Sequence, residues 1–232
     1  MLISLIMVFF GLAVLWFLLP FGVRKLSERR LSSRCRDRKC IALTYDDGPS
    51  PTITPRLLEL LSRETVPATF FALGKSIEVA PEIMADILQH GHEVGSHTYR
   101  HSNAWKTWPQ TYQKDMAAGV AVVSTAGGDG TFFRPPYGKL TVLALIIATV
   151  KGVKLGWWTV DSQDSWNKRD IDDVVEEVIG RGGGVVLMHD LDGYDAGAHP
   201  DDHLKYVLEL TEKLILRGRR EGFEFVTLGK VV

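Results

Sequence analysis

The stretch "IALTYDDGPSP", residues 41–51, decides how the rest of the chain is read. It opens as an apolar run and ends in two adjacent carboxylates, Asp46 and Asp47, followed by a Gly-Pro turn. Asp, Gly and Pro are all turn formers, so a strand that simply stops would explain the turn. It would not explain the pair. Neighbouring carboxylates repel, and neither a strand nor a turn needs both.

Outward from residue 40, short apolar runs alternate with longer amphipathic segments. The pattern predicts strands over residues 41–45, 68–73, 92–95, 131–133, 155–160, 184–188 and 223–228. It predicts helices over 54–63, 81–90, 110–125, 141–151, 171–181 and 203–217. Thr54-Pro55 sets Pro at a first helical position, and Gly91 and Gly218 are helix stops. "LGWWTV", 155–160, is aromatic and β-branched, as strands are. Such alternation means an α/β fold with a mostly parallel sheet, either an open doubly wound sheet or a small (β/α) barrel. Both bind ligands at the C-terminal ends of their strands. The acidic, Gly-containing loop from His189 to Asp202 is expected as a rim over that end.

The composition, 45% hydrophobic and 24% charged over 232 residues, is that of a folded protein. A formal charge of −1 gives no argument for a nucleic-acid partner. The charge is unevenly placed. Residues 1–23 carry none, and 24–39 hold eight Lys or Arg against Glu28 and Asp37. Twenty apolar residues, Leu2 to Phe21, would span about 30 Å as a helix, the thickness of a bilayer core. No basic residue precedes the run and no A-x-A follows it, so the expectation is a retained anchor, not a signal peptide. The expected division is a transmembrane anchor at 1–23, a basic juxtamembrane linker at 24–39 and a catalytic domain at 40–232. The linker's charge favours the cytoplasmic side and anionic lipid. Cys35 and Cys40 are expected to be unpaired, and two cysteines alone make no structural zinc site.

Every group capable of chemistry follows a predicted strand. Asp46 and Asp47 follow the first, "HTYRH" (97–101) the third, "RPPY" (134–137) the fourth, "DSQDSW" (161–166) the fifth and His189 the sixth. In a parallel sheet these points share one face. His97 and His101 stand at i, i+4, and a carboxylate from another strand end completes a three-ligand set. Such a set suits Zn²⁺ or another first-row divalent ion and leaves a position for water. One Asp can then bind the metal while the other takes a proton from the attacking water. Arg134 would fix and ionise the catalytic Asp. Asp161 or Asp164 is a candidate partner for Arg134. Pro135-Pro136 would stiffen the turn that aims the Tyr137 N–H as an oxyanion donor. His189 is placed as a general acid. Trp157, Trp158 and Trp166 are core or pocket wall, and Trp166 would suit a sugar ring if exposed.

The set "TYDDGPS", "HTYRH", "FRPPYG", "VDSQDSW" and "LMHD", in this order, resembles the polysaccharide deacetylases with a NodB homology domain, carbohydrate esterase family 4. The resemblance covers about residues 40 to 229. It implies a distorted (β/α)7 barrel of NodB type, here preceded by the N-terminal transmembrane helix. It implies one divalent metal ion, usually zinc, with Co²⁺, Ni²⁺, Mn²⁺ or Fe²⁺ as alternatives. It implies removal of acetyl groups from sugars. By position Asp46 would be the base, Asp47, His97 and His101 the metal ligands, and Arg134 the residue tuning Asp46. Tyr137 would offer its backbone N–H, His189 would be the acid, and Leu187 would shape the pocket for the acetyl methyl. The fourth motif departs from the family: Ser165 separates Asp164 from Trp166. Either the loop bulges by one residue or Trp166 leaves the site, and the roles of Asp164 and Trp166 turn on which.

The expectation is thus a single-pass, membrane-anchored, metal-dependent hydrolase that deacetylates an N-acetylated glycan. Two alternatives stand beside it: a deacetylase of a lipid-linked sugar at the membrane surface, and a carbohydrate-binding member without catalysis. The linker's charge favours a cytoplasmic domain and the resemblance an external one.

Overall fold

The computed structural model of the chain describes residues 2–192 and 200–232; the side chains of 2–6, 8–10, 12, 13 and 200 lie outside that description. Residues 193–199 of the expected rim loop lie outside it too.

Strand β1 (Cys40–Asp46) is buried along its whole length. Its two faces serve different layers, because successive side chains of a strand point opposite ways. Ile41, Leu43 and Tyr45 join one apolar cluster with the helices α2 (Ile53–Arg63), α7 (Ile171–Gly180) and α8 (Pro200–Arg220). Cys40 and Ala42 join a second cluster on the concave face. Thr44 and Asp46 continue that concave row up to the strand's C-terminal end.

Around β1 the sheet is parallel throughout. Its order is β5-β4-β3-β2-β1-β7-β6, with β8 (Glu224–Phe225) beside the base of β1. The others are β2 (Thr69–Ala72), β3 (Glu93–Ser96), β4 (Phe132–Phe133), β5 (Lys154–Leu155), β6 (Val160–Asp161) and β7 (Gly184–His189). Among the described residues no ladder joins β5 to β6, so the sheet curls into an open half-barrel. The register sets the strand ends level: Asp46 lies opposite Phe71 of β2 and His189 of β7.

The expected strand over 155–160 is two short strands instead. Between them the Arg134 side chain does what a neighbouring strand would do. Its Nε donates to the Gly156 carbonyl at 3.1 Å and its Nη2 to the Trp157 carbonyl at 3.5 Å. The expected last strand shortens to β8 and ends in a 3-10 turn, Leu228–Lys230. A short helix, α3 (Gly74–Val79), follows β2 and was not expected. The helices α4 (Pro81–Gln89), α5 (Pro109–Thr125) and α6 (Val142–Val150) fall where the periodicity puts them.

The N-terminal region departs furthest from expectation. Helix α1 runs without a break over Leu2–Arg38, so residues 24–38 are helical and docked on the domain. Leu31 and Cys35 are buried in the concave cluster with Cys40, Ala42 and Val185. Arg34 donates to the Val231 carbonyl at 2.8 Å, and Arg38 to that of Lys230. Part of the basic charge read as a lipid contact therefore ties the helix to its own domain. Both cysteines are free thiols. Among the described residues no helix is long and apolar enough to cross a membrane, and much of the uncharged run lies where side chains are not described.

Candidate active site

The strand ends surround a cavity of ≈ 410 Å³. Asp46, Asp47, His97, His101, Tyr137, Trp166, Leu187 and His189, singled out from the sequence, all line it, and Lys139, Trp158, Asp161 and Ser165 complete the wall. Arg134 and Asp164 stand immediately behind.

The two aspartates separate at the end of β1. Asp46 keeps strand geometry and points along the concave row. Asp47 adopts φ 77, a left-handed conformation that re-aims its side chain. Thr98, His101, Tyr137 and Gln163 share that unusual region, and all lie in strand-end loops of this site. Such conformations cost about 1–3 kcal/mol each and persist where surroundings enforce them. The enforcing groups are visible. Asp190, buried next to His189, accepts from the Gly48 N–H at 3.0 Å and from Thr54 Oγ1 at 2.6 Å. Gly48 has to be glycine, because a Cβ there would collide with the Asp190 carboxylate. On the other side Asp115 of α5 accepts from the N–H groups of Arg100 at 3.0 Å and Ser102 at 3.3 Å. Sequence reasoning missed both carboxylates. Asp190 stood inside the motif "LMHD", but Asp115 carries no local signal.

Asp47 Oδ1 lies 3.4 Å from His97 Nε2 and 3.2 Å from His101 Nε2. It is buried and accepts no hydrogen bond among the described residues. His97 Nδ1 sits 2.7 Å from the Arg134 carbonyl. Only a protonated Nδ1 can serve a carbonyl, so Nε2 keeps its lone pair and faces Asp47. Burial pushes Asp47 up to about 7 and both histidines down to about 3. One carboxylate oxygen and two neutral imidazole nitrogens, all within 4.8 Å of one another, fit a divalent cation. Such an ion would supply the charge that burial makes this trio lack.

Two further buried carboxylates belong to the site, Asp46 beside His97 and Asp164 behind His189. Asp46 Oδ1 accepts from Arg134 Nη1 at 2.7 Å, and the same nitrogen donates to Thr44 Oγ1 at 2.8 Å. Burial raises the Asp46 pKa, and the Arg134 guanidinium opposes that. Asp164 does not pair with Arg134. Its Oδ1 lies 2.7 Å from His189 Nδ1, and its Oδ2 accepts from the His189 N–H at 2.8 Å. Sheet order decides the pairing: β6 lies beside β7, whereas Arg134 leaves β4 on the far side of β1. Burial alone would lower the His189 pKa, but Asp164 carries it up to about 10.

The extra residue Ser165 is absorbed in the loop. Gln163 turns left-handed at φ 57, and the Trp166 N–H closes onto its carbonyl at 3.2 Å. Trp166 stays at the cavity wall with 68% of its surface exposed, while Trp157 is buried core. Tyr137 sits at φ 58 in the 3-10 turn Pro136–Gly138, between two prolines and a glycine.

A family model described as polysaccharide deacetylase matches residues 33–156. A peptidoglycan-N-acetylglucosamine deacetylase of Bacillus cereus is 34% identical over 191 residues, 81% of this chain and 66% of that protein. The peptidoglycan-N-acetylglucosamine deacetylase PgdA of Listeria monocytogenes is 34% identical over 201 residues, 85% of this chain and 40% of that protein. The chain thus spans less than two thirds of the length of either. A crystal structure of a peptidoglycan N-acetylglucosamine deacetylase in complex with an N-oxidanyl-benzamide superposes with a TM-score of 0.75. It shares 31% identity and covers 84% of this chain and 89% of its own.

Proposed function

Because the chain belongs to the polysaccharide deacetylase family, we propose that it hydrolyses the N-acetyl amide of N-acetylglucosamine units in a glycan polymer. Peptidoglycan is the first candidate, and the reaction depends on a divalent cation, zinc first. One observation carries the reading. An Asp–His–His trio, buried at Asp47 and His97 and half-buried at His101, shares one cavity with an arginine-paired carboxylate, a carboxylate-paired histidine and an exposed tryptophan.

Asp47 Oδ1, His97 Nε2 and His101 Nε2 would hold the cation, which supplies a Lewis acid for the acetyl carbonyl and makes water nucleophilic near neutral pH. Asp46 takes the proton of the attacking water, and Arg134 keeps it ionised for that task. The Tyr137 N–H donates to the oxyanion that forms on the carbonyl oxygen. His189, protonated and oriented by Asp164, gives its proton to the sugar nitrogen as the C–N bond breaks. Acetate and a free amine leave. Leu187 bounds the space for the acetyl methyl, and Trp166 offers a face for a sugar ring.

We extend the proposal to place. The uncharged run 2–21 would act as a single-pass anchor in the cell membrane, continuous with the docked part of α1. One observation favours a second substrate, a lipid-linked N-acetyl sugar. Pro20, Phe21 and Arg24 of α1 line a small cavity with Tyr137 and Lys139, so the end of the apolar run lies at the active-site rim.

The test is acetate release by the full chain from an N-acetylglucosamine oligomer and from a lipid-linked N-acetyl sugar. Each is assayed with and without chelator and beside Asp46→Asn. Release that chelator abolishes and Asp46→Asn loses is expected, with the oligomer preferred. Release indifferent to both changes would sink the mechanism, and preference for the lipid-linked sugar would select the second substrate. Protease access to the C-terminal domain in intact cells reports the side of the membrane.

A further inference from the structure

Helix α1 hydrogen-bonds to the catalytic wall through Arg24. Arg24 Nη1 donates to the Gly138 carbonyl at 3.0 Å, one residue past Tyr137. Its Nε donates to Glu28 Oε1 at 2.6 Å, which fixes the guanidinium plane. The same guanidinium stands 4.5 Å from the ring centre of Trp158, a cavity-wall residue. Arg134, the partner of Asp46, stands 5.5 Å from that ring. Gly138 is left-handed at φ 62, and a Cβ there would collide with Arg24, so the glycine makes room for this approach. A second contact from α1 grips the same segment. Phe17 packs edge-on against Trp105 at 5.2 Å, and Trp105 Nε1 donates to the Leu140 carbonyl at 3.0 Å.

We propose that α1 is part of the catalytic scaffold and that Arg24 is a positioning residue for the Pro136–Gly138 turn and Trp158. The inference rests on the deacetylase reading. An oxyanion donor works only if it is fixed before the charge develops. Tyr137 and Gly138 are consecutive left-handed residues, and the turn's own bonds are two: Gly138 N–H to the Pro135 carbonyl at 2.9 Å and Lys139 N–H to the Pro136 carbonyl at 3.1 Å. Arg24 adds a hydrogen bond from outside the turn, beside the packing of the Tyr137 ring on His101 at 4.6 Å. The turn is therefore held in part by a residue outside the motifs that carry the chemistry, and an event that tilts α1 would be felt at the oxyanion donor.

The experiment compares the full-length chain with Arg24→Ala and Arg24→Lys. It measures kcat and KM on the N-acetylglucosamine oligomer, bound zinc, thermal unfolding, and amide hydrogen exchange by mass spectrometry. A displaced donor costs about 10- to 100-fold in kcat for Arg24→Ala. KM is expected to stay within about twofold, because the lost contact acts in the transition state. Zinc content and unfolding temperature should be unchanged, and exchange should quicken only in peptides covering 136–140. Arg24→Lys keeps a cation that can reach the carbonyl and should recover part of the rate. An unchanged kcat in Arg24→Ala overturns the inference. So does a loss matched by equal loss of zinc or by faster exchange throughout the domain, which would mark a merely structural role. A wild-type chain that releases no acetate fails the deacetylase reading instead. Exchange then decides the brace alone: no local quickening removes it.

Discussion

The site contains two buried carboxylate–cation pairs, and they behave differently. Asp46 pairs with Arg134 and Asp164 with His189, each at 2.7 Å. Arginine does not titrate in a protein, so in the first pair a permanent cation opposes the rise that burial imposes on the Asp46 pKa. Imidazole does titrate, so the second pair keeps a proton on a histidine that burial alone would strip of it. Similar distances thus suit the first pair to the proposed base and the second to the proposed acid. The lesson is that the cation's own chemistry, more than the length of the bond, assigns the role.

The largest effect should come from breaking the first pair at its functional end. Asp46→Asn removes the base and is expected to lower kcat by about 10²–10⁴-fold with zinc still bound, measured by acetate release and metal analysis. Loss of zinc in that variant would mean that Asp46 is a ligand and not the base.

Asp164→Asn breaks the second pair, and its effect should depend on pH. The His189 pKa is about 10 in the intact site. Without its carboxylate it should fall towards about 6.5. The alkaline limb of the kcat profile should move down with it, so the loss grows as pH rises. The same shift has a stability signature. Because the folded pKa of His189 is raised, the pair stabilises fully below about 6.5 and loses that contribution as pH rises through the folded value. The gap in unfolding temperature between wild type and Asp164→Asn should therefore narrow as pH rises past about 10, leaving the part due to the His189 backbone N–H. A gap independent of pH would show that Asp164 holds the backbone and not the proton.

Smaller effects test the walls. Trp166→Ala should raise KM by about 2- to 10-fold with kcat held, if the exposed ring stacks on a sugar. A fall in kcat alone would place that residue in the chemistry. Thr54→Val should cost about 1.5–3 kcal/mol of stability, because it leaves the buried Asp190 carboxylate short of one donor. Its effect on kcat should be the least of the series.

Much of this was legible in the sequence for a physical reason. Strand and helix periodicity are local, so alternation after residue 40 predicted most elements to within a few residues. The parallel arrangement then put Asp46, Asp47, His97, His101, Tyr137 and His189 on one face. The pairings were less legible. Whether Arg134 or His189 takes Asp164 depends on which strands are neighbours, and no spacing along the chain records that. Asp115 is a single acid in an ordinary helix, and only the folded loop shows that it holds "HTYRH". Ser165 looked like a disruption because sequence counts residues, whereas the loop needs only to return Trp166 to the wall, which one left-handed residue achieves.

Residues 24–38 mark the boundary between the two kinds of knowledge. That they are basic and follow an uncharged run can be read from the residues one by one, because charge is a property of each side chain alone. Which of those charges meet the domain is visible only in the folded chain. Arg24, Arg34 and Arg38 find carbonyl oxygens of residues 138, 231 and 230, more than a hundred positions away. Hydrogen bonding and burial belong to pairs of groups brought together by folding, and the partners become known only when the chain has closed on itself.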